Sequence, residues 1–379
     1  MQVCVENKIT YLLLPLLIIA CKHPYNPPEI DASNQYLVVD GLLDVGPDAS
    51  PRIVLTRTQN LNSTDSIFPE LYANVSVEQE GGATYFLQEQ GNGIYSVANL
   101  NLDPNAYYRV NIIRANGSKY NSDYVQAKVS PPIDSLTWEQ QNDVTIYIYS
   151  HDPTDSTRYY KWDFTETWSY GSNLQTPWAV AGNKIFAKDS TNQTDSCWRT
   201  ANSTDIIIAS SVALTHDVIS HSPITKILQN DERISRRYSI LVRQYALTKD
   251  AYQFHQILQK NTEQTGSLYD PQPSQLSTNL HCISNPNEPV IGFISASTVE
   301  ERRLFIGHGQ VHDWNYPGLT GACTTINIPV DPVDFTIFNY PDTSYGPYYF
   351  ITGDGLVIVQ KACTDCTYWG GTNVKPSFW

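Results

Sequence analysis

Short runs of β-branched and aromatic residues, each ended by turn residues, recur along this chain, and they leave little room for any fold but a β-fold. Residues 35–130 carry the pattern most plainly. Gln35–Asp40, Arg52–Arg57, Asn74–Glu78, Thr84–Leu87, Gly93–Val97 and Tyr107–Ile113 are rich in Val, Ile, Leu, Tyr and Phe, side chains that fit a pleated, half-buried surface. Between them stand Gly81-Gly82, Gly91-Asn92-Gly93, Asp103-Pro104-Asn105 and Asn116-Gly117, which supply positive φ or cap their own backbone. Six or seven strands in about 95 residues predict an immunoglobulin-like or prealbumin-like β-sandwich.

Pro131-Pro132 then breaks the pattern, because proline cannot donate to a strand ladder. It marks the end of an N-terminal β-sandwich over 35–131. A second, β-sandwich-like domain is expected over 132–379. Val144–Tyr149 alternates, and in Tyr159–Thr165 the residues Tyr160, Trp162 and Phe164 share one face while Lys161 and Asp163 take the other. Residues 190–232 show weak periodicity and are expected to be a loop-rich excursion. Tyr238–Leu247 resumes strand character. A short helical insertion near 249–262 follows, with Thr248 as N-cap, Asp250 in the first turn, and Ala251, Phe254 and Leu258 at helical spacing. Val290–Ser295, Arg303–Ile306, Phe335–Phe338 and Leu356–Gln360 are expected to complete the second sheet system. The fold class is thus mostly β.

The beginning of the chain carries an address. Tyr11–Ala20 is unbroken apolar sequence, about half the length a membrane-spanning helix needs. A short apolar region ending in a small residue is what a signal peptidase reads, and Ile18-Ile19-Ala20-Cys21 resembles the bacterial lipobox. Residues 1–20 are therefore expected to be a lipoprotein signal peptide, with lipidation at Cys21 and an acylated, proline-rich tether over 21–34. Residue 22 is Lys, not the Asp of inner-membrane retention, so the expected place is the outer membrane. There acyl chains in the bilayer would hold the protein with its body facing the cell surface.

Charge and cysteine usage narrow the function. A formal net charge of −14 repels polyanions and argues against nucleic acid as a partner. Beyond Cys21 stand Cys197, Cys282, Cys323, Cys363 and Cys366. In an oxidising compartment these predict disulfides with one thiol left over. Cys363-Thr-Asp-Cys366 has the spacing of redox and zinc sites, but no βαβ pattern surrounds it and no second pair matches it. Structural disulfides are the leading reading. No HExxH, GxSxG, P-loop or dinucleotide fingerprint occurs, so no catalytic residue, cofactor or metal ligand is expected. His308 and His312 are four apart but lie in glycine-bearing sequence that reads as a loop. Asp152-Pro-Thr-Asp155 and Asp331-Pro-Val-Asp334 read as self-capping turns. After Cys363 the tail loses strand alternation and ends in Phe378-Trp379. It is expected to fold back onto the second domain, rooted by a disulfide from Cys363 or Cys366, with Cys323 the partner if those two do not bond each other. Deleting Ser377–Trp379 would then cost about 3–5 kcal/mol, the range for large buried aromatics.

Several phrases together carry a resemblance: Tyr36–Gly41, Pro131–Ser135, Gly266–Gln275, Asn285–Ser297 and Cys363–Cys366 with Gly370–Trp379. In these the chain resembles the Bacteroidota lipoproteins grouped as domain of unknown function 4249. The resemblance implies an outer-membrane lipoprotein that acts as a non-enzymatic accessory or ligand-capture partner of a TonB-dependent transporter. It brings no catalytic residues with it. The alternative is a stand-alone surface binding protein or adhesin for glycan or protein.

Overall fold

The computed structural model describes residues 36–59, 68–189, 192–263, 277–318, 323–328, 344–351 and 355–379. Cys21, the leader and tether, Phe335–Phe338, Asp331 and Asp334 lie outside the described residues.

The predicted N-terminal strands form as Leu37–Asp44, Arg52–Arg57, Asn74–Gln79, Thr84–Gly91, Ile94–Ser96 and Tyr107–Ile113. Lys119–Ser122 and Val125–Lys128 extend them. Two sheets face each other as in a sandwich, but they share Thr84–Gly91 at one side and Val125–Lys128 at the other. The hydrogen-bond ladder therefore closes on itself, which removes the unpaired edges that make open sheets prone to association. The interior is filled by the inward-facing half of each strand, among them Leu37, Val39, Leu43, Val75, Val77, Val110 and Ile112.

One element of the ring comes from far along the chain. Val290–Ser295, expected in the second sheet system, belongs instead to a strand Ile291–Ser297 that pairs in parallel with Leu37–Asp44, Val38 opposite Ile291 and Asp44 opposite Ser297. Leu280–Cys282 joins the same unit by pairing with Lys119–Ser122. Alternation identifies a strand but carries no information about its partner, so the sequence pattern assigned Val290–Ser295 to the wrong sheet and left Leu280–Cys282 unread.

The second unit is a sandwich of Ile133–Gln140, Val144–His151 and Val218–Ile227 against Ser196–Asn202, Tyr159–Gly171, Arg237–Ala246 and Val299–Gly307. Tyr160, Trp162 and Phe164 point into its core together, as their alternation requires, and meet Ile146, Ile148 and Tyr238. The supposed loop over 190–232 is corrected here. It contains the strands Ser196–Asn202, Ile207–Ser210 and Val218–Ile227, and register shifts against Val144–His151, at Ile146/Tyr147 and Ile148/Ser150, blur the alternation of the last. A small third sheet, Ile326–Ile328, Gly355–Gln360 and Tyr345–Ile351, packs with the hairpin Trp178–Ala181/Lys184–Ala187.

The chain crosses between the two larger units at Ser130–Pro131 and again at Ser297–Thr298, and the crossings are bonded together. The Ser130 amide donates to the Thr298 hydroxyl at 2.8 Å, and the Ala246 amide donates to the hydroxyls of Ser130 and Ser297 at 2.8 and 3.0 Å. The amide of Gln244, fully buried, donates to the Pro131 carbonyl at 2.7 Å and its oxygen accepts from the Trp162 indole at 2.9 Å. A satisfied buried network of this kind holds one geometry, because any slip strands polar groups away from water.

Candidate ligand-binding cleft

The helix Lys249–Glu263 sits where both units can reach it. Its N-terminus is capped as predicted, the Ala251 amide donating to the Thr248 hydroxyl at 3.2 Å. Residues 251, 254, 255 and 258 fall on one face, as i+3 and i+4 spacing requires. That face lies over the outer surface of the parallel strand pair: Phe254 packs on Phe293 with ring centroids 5.5 Å apart. Tyr252 packs on Tyr159 of the second unit at 5.0 Å, and Gln259 donates to the Ile206 carbonyl at 2.9 Å.

The strand pair is shaped for this. Leu37, Val39, Gly41 and Leu43 face inward, so Val38, Asp40 and Leu42 face outward, in register with Ile291, Phe293 and Ser295. Gly41 has no side chain because a Cβ there would run into Ile53 and Ile294. Gly292 has φ +138°, and a Cβ would collide with the Val39 carbonyl. At Gly292 only glycine lets the two backbones approach so closely, and at Gly41 it leaves room for the two isoleucine side chains.

Helix and strands do not close completely. A cleft of about 120 Å³ remains between them. Its walls are Val38, Leu42, Phe254, Leu258, Ile291 and Phe293, and its polar groups are His255, Ser295, Lys161 and Asp40. His255 is 8% exposed and Ser295 4%. Among the described residues, neither side chain has a hydrogen-bond partner, and Lys161 has no carboxylate to pair with. Burial, and secondarily the Lys161 ammonium, push the His255 imidazole down to about 3, so at neutral pH the ring is uncharged. It offers one N–H donor and one acceptor. Asp40 stands exposed on the strand that lines the opening.

The cysteines are placed elsewhere. Cys197 bonds Cys366 and Cys323 bonds Cys363, while Cys282 remains a buried free thiol. The thiol left over by an odd count is therefore Cys282, and Cys363 and Cys366 do not bond each other. Cys282 lines a second, more open cavity of about 480 Å³ and lies 3.7 Å from the Glu288 carboxylate, which accepts from the Tyr120 hydroxyl at 2.6 Å. Arg114 donates to both Tyr120 and Glu70. This chain ties the 280–290 segment to the first unit and is structural.

His308 sits in a short 3-10 turn with its ring against the Ile234 carbonyl at 3.2 Å, and among the described residues no three candidate ligands converge on a metal site. Asp152 caps its own turn, accepting from Thr154, Ser156 and Thr157. The residues that line the cleft were legible only in part. Lys161 stands out as the polar face of an alternating strand. His255 is hidden because it merges into the apolar stripe of Ala251, Phe254 and Leu258.

The model of one protein family, described as domain of unknown function (DUF4249), matches residues 22–303. That span contains every residue lining the cleft and stops short of Cys323, Cys363 and Cys366. No curated protein matches the chain.

Proposed function

Because the chain belongs to the family described as domain of unknown function 4249, we propose that it is a Bacteroidota outer-membrane lipoprotein, anchored through Cys21, that captures a small ligand without catalysis for a TonB-dependent transporter. The observation that carries the capture reading is the cleft beneath the helix Lys249–Glu263: apolar walls, a few unpartnered polar groups, and a lid held by both units. Binding sites are built this way, with apolar area for affinity and sparse polar groups for orientation.

Binding is favoured over hydrolysis by what the polar groups do not do. Ser295, His255 and Asp40 share the cleft, yet no hydrogen bond joins any two of them among the described residues. Nucleophilic catalysis needs a base in hydrogen-bond reach of the nucleophile and a third group orienting the base. The anchoring reading is supported by Ile18-Ile19-Ala20-Cys21 and the proline-bearing stretch behind it.

Co-purification tests the whole. A tagged full-length chain pulled from detergent-solubilised outer membranes should bring a β-barrel transporter with it, and Cys21→Ala should move the protein to the aqueous phase and lose the barrel. A Cys21→Ala protein that still partitions with detergent would sink the lipoprotein reading, and a clean pull-down without any barrel would sink the transporter partnership.

A further inference from the structure

We infer that the cleft beneath the helix Lys249–Glu263 takes a small apolar carboxylate, its carboxylate held by Lys161, His255 and Ser295. This rests on the ligand-capture part of the proposed function and needs neither the membrane nor the transporter. Three features of the cleft point to that chemistry.

The first is an unmet demand for hydrogen bonds. His255 and Ser295 are both more than nine-tenths buried, both line the cleft, and neither is partnered among the described residues. Their polar atoms are not among the fully enclosed, unpartnered atoms of the described residues, so they open onto the cleft and are free to bond to what enters it. A ligand whose polar end lies among apolar walls gains both bonds there, in surroundings that strengthen them.

The second is the sign of the demand. The Ser295 hydroxyl and the His255 N–H donate, and Lys161 contributes three more donors and the cleft's positive charge. The group that accepts from all three at once and cancels the charge is an anion. A carboxylate fits, since its two oxygens accept about four hydrogen bonds between them, and charge-assisted bonds are the strong kind. The neutral ring of His255 suits this role: it donates without adding a second buried positive charge beside Lys161.

The third is size. The remaining space is about 120 Å³, close to the roughly 150 Å³ of an apolar cavity that accommodates benzene. Its walls are aliphatic or aromatic: Val38, Leu42, Phe254, Leu258, Ile291 and Phe293. The ligand's apolar part is therefore a single ring or a short branched or linear chain. Asp40 stands exposed on the same strand, where water weakens its repulsion of a carboxylate. There it disfavours ligands carrying a second negative charge.

Calorimetric titration of the full chain carrying Cys21→Ala, which avoids detergent, tests this with phenylacetate and hexanoate as probes. 2-Phenylethanol and phenethylamine serve as the neutral and cationic counterparts. Phenylacetate should bind saturably and at least tenfold more tightly than 2-phenylethanol, with phenethylamine weakest. Lys161→Met should erase the preference for the anion and leave the melting temperature in place. Ser295→Ala and His255→Leu should each weaken phenylacetate at least threefold while keeping or raising the melting temperature of the empty protein, a combination that loss of folding could not produce. No saturable binding of either carboxylate at concentrations up to about 10 mM, which means weaker than millimolar affinity, would overturn the inference. So would carboxylate binding untouched by Lys161→Met.

Discussion

His255 occupies a helix position where leucine would pack, and its surroundings take the charge from the ring. Its value falls from 6.5 in the unfolded chain to about 3 in the folded one, through burial first and Lys161 second. Between those two values the unfolded chain binds a proton that the folded chain refuses, so stability must fall as pH drops from 6.5 towards 3. At pH 4.5 the loss from this one ring amounts to about 2–3 kcal/mol. His255→Leu should remove it. Denaturant melts of both proteins at pH 7 and pH 4.5, in a buffer without carboxylates, isolate the ring because other titrating groups cancel in the difference. Equal losses in the two proteins would show that the imidazole finds water or a partner at low pH. The charged groups facing the ring, Lys161 from the strand Tyr159–Gly171 and Asp40 exposed on the strand beneath the helix, are the same in both proteins.

The C-terminal segment illustrates an element held by its root more than by its tip. It folds back as expected. Trp198 and Thr372 exchange backbone hydrogen bonds at 2.8 and 3.0 Å, and the Tyr170 hydroxyl donates to the Cys366 carbonyl at 2.8 Å. Trp379 rests beside Trp198 and Phe305, with the Arg237 guanidinium 5.4 Å from its ring. Phe378, however, is 41% exposed beneath Arg303. The expected 3–5 kcal/mol for deleting Ser377–Trp379 therefore comes down to about 1–2 kcal/mol, since cation–π contacts at exposed sites are each worth well under that. Cys197→Ser with Cys366→Ser should cost more, about 2–5 kcal/mol, because this bond bridges 169 positions and its sulfurs sit in a fully buried cluster with Tyr170. Melting both variants beside the parent settles the order. A truncation as damaging as the disulfide loss would mean that the two terminal aromatics carry the tail.

At the scale of the molecule, the two units are not consecutive pieces of chain. Leu37–Asp44 is flanked on one side by Arg52–Arg57 and on the other by Ile291–Ser297. A fragment ending at residue 131 would lack that second neighbour, expose a strand edge, and lose Leu280, Ile294 and Ala296 from its core. Such a fragment should aggregate or remain unfolded, as judged by dispersion of its amide resonances, and fusing residues 277–298 to it should restore a cooperative fold. A well-dispersed spectrum from residues 35–131 alone would show that the ring closes without its distant strand. The same discontinuity places the cleft. The helix stands between the second unit's strand Tyr159–Gly171 and the first unit's parallel pair, so the site exists only once both crossings at Ser130 and Ser297 are bonded together.

What could be read along the chain was what local forces decide. Alternation with period two picked out Leu37–Asp44, Tyr107–Ile113 and the Tyr160, Trp162 and Phe164 face. A capping threonine with an apolar stripe picked out the helix, and an odd number of cysteines required one free thiol. Each depends on residues a few positions apart, or on counting. The partner of Ile291–Ser297, the choice of Cys197 for Cys366, and the meeting of Lys161, His255 and Ser295 depend on groups that sequence places far apart and only packing brings together. Ser130 and Thr298, bonded across 168 positions, mark where that happens. Strand periodicity states which face of an element is apolar. Which other apolar face covers it, and where the two fail to close, is settled by the packing of the whole molecule against the entropy of the long loops between them.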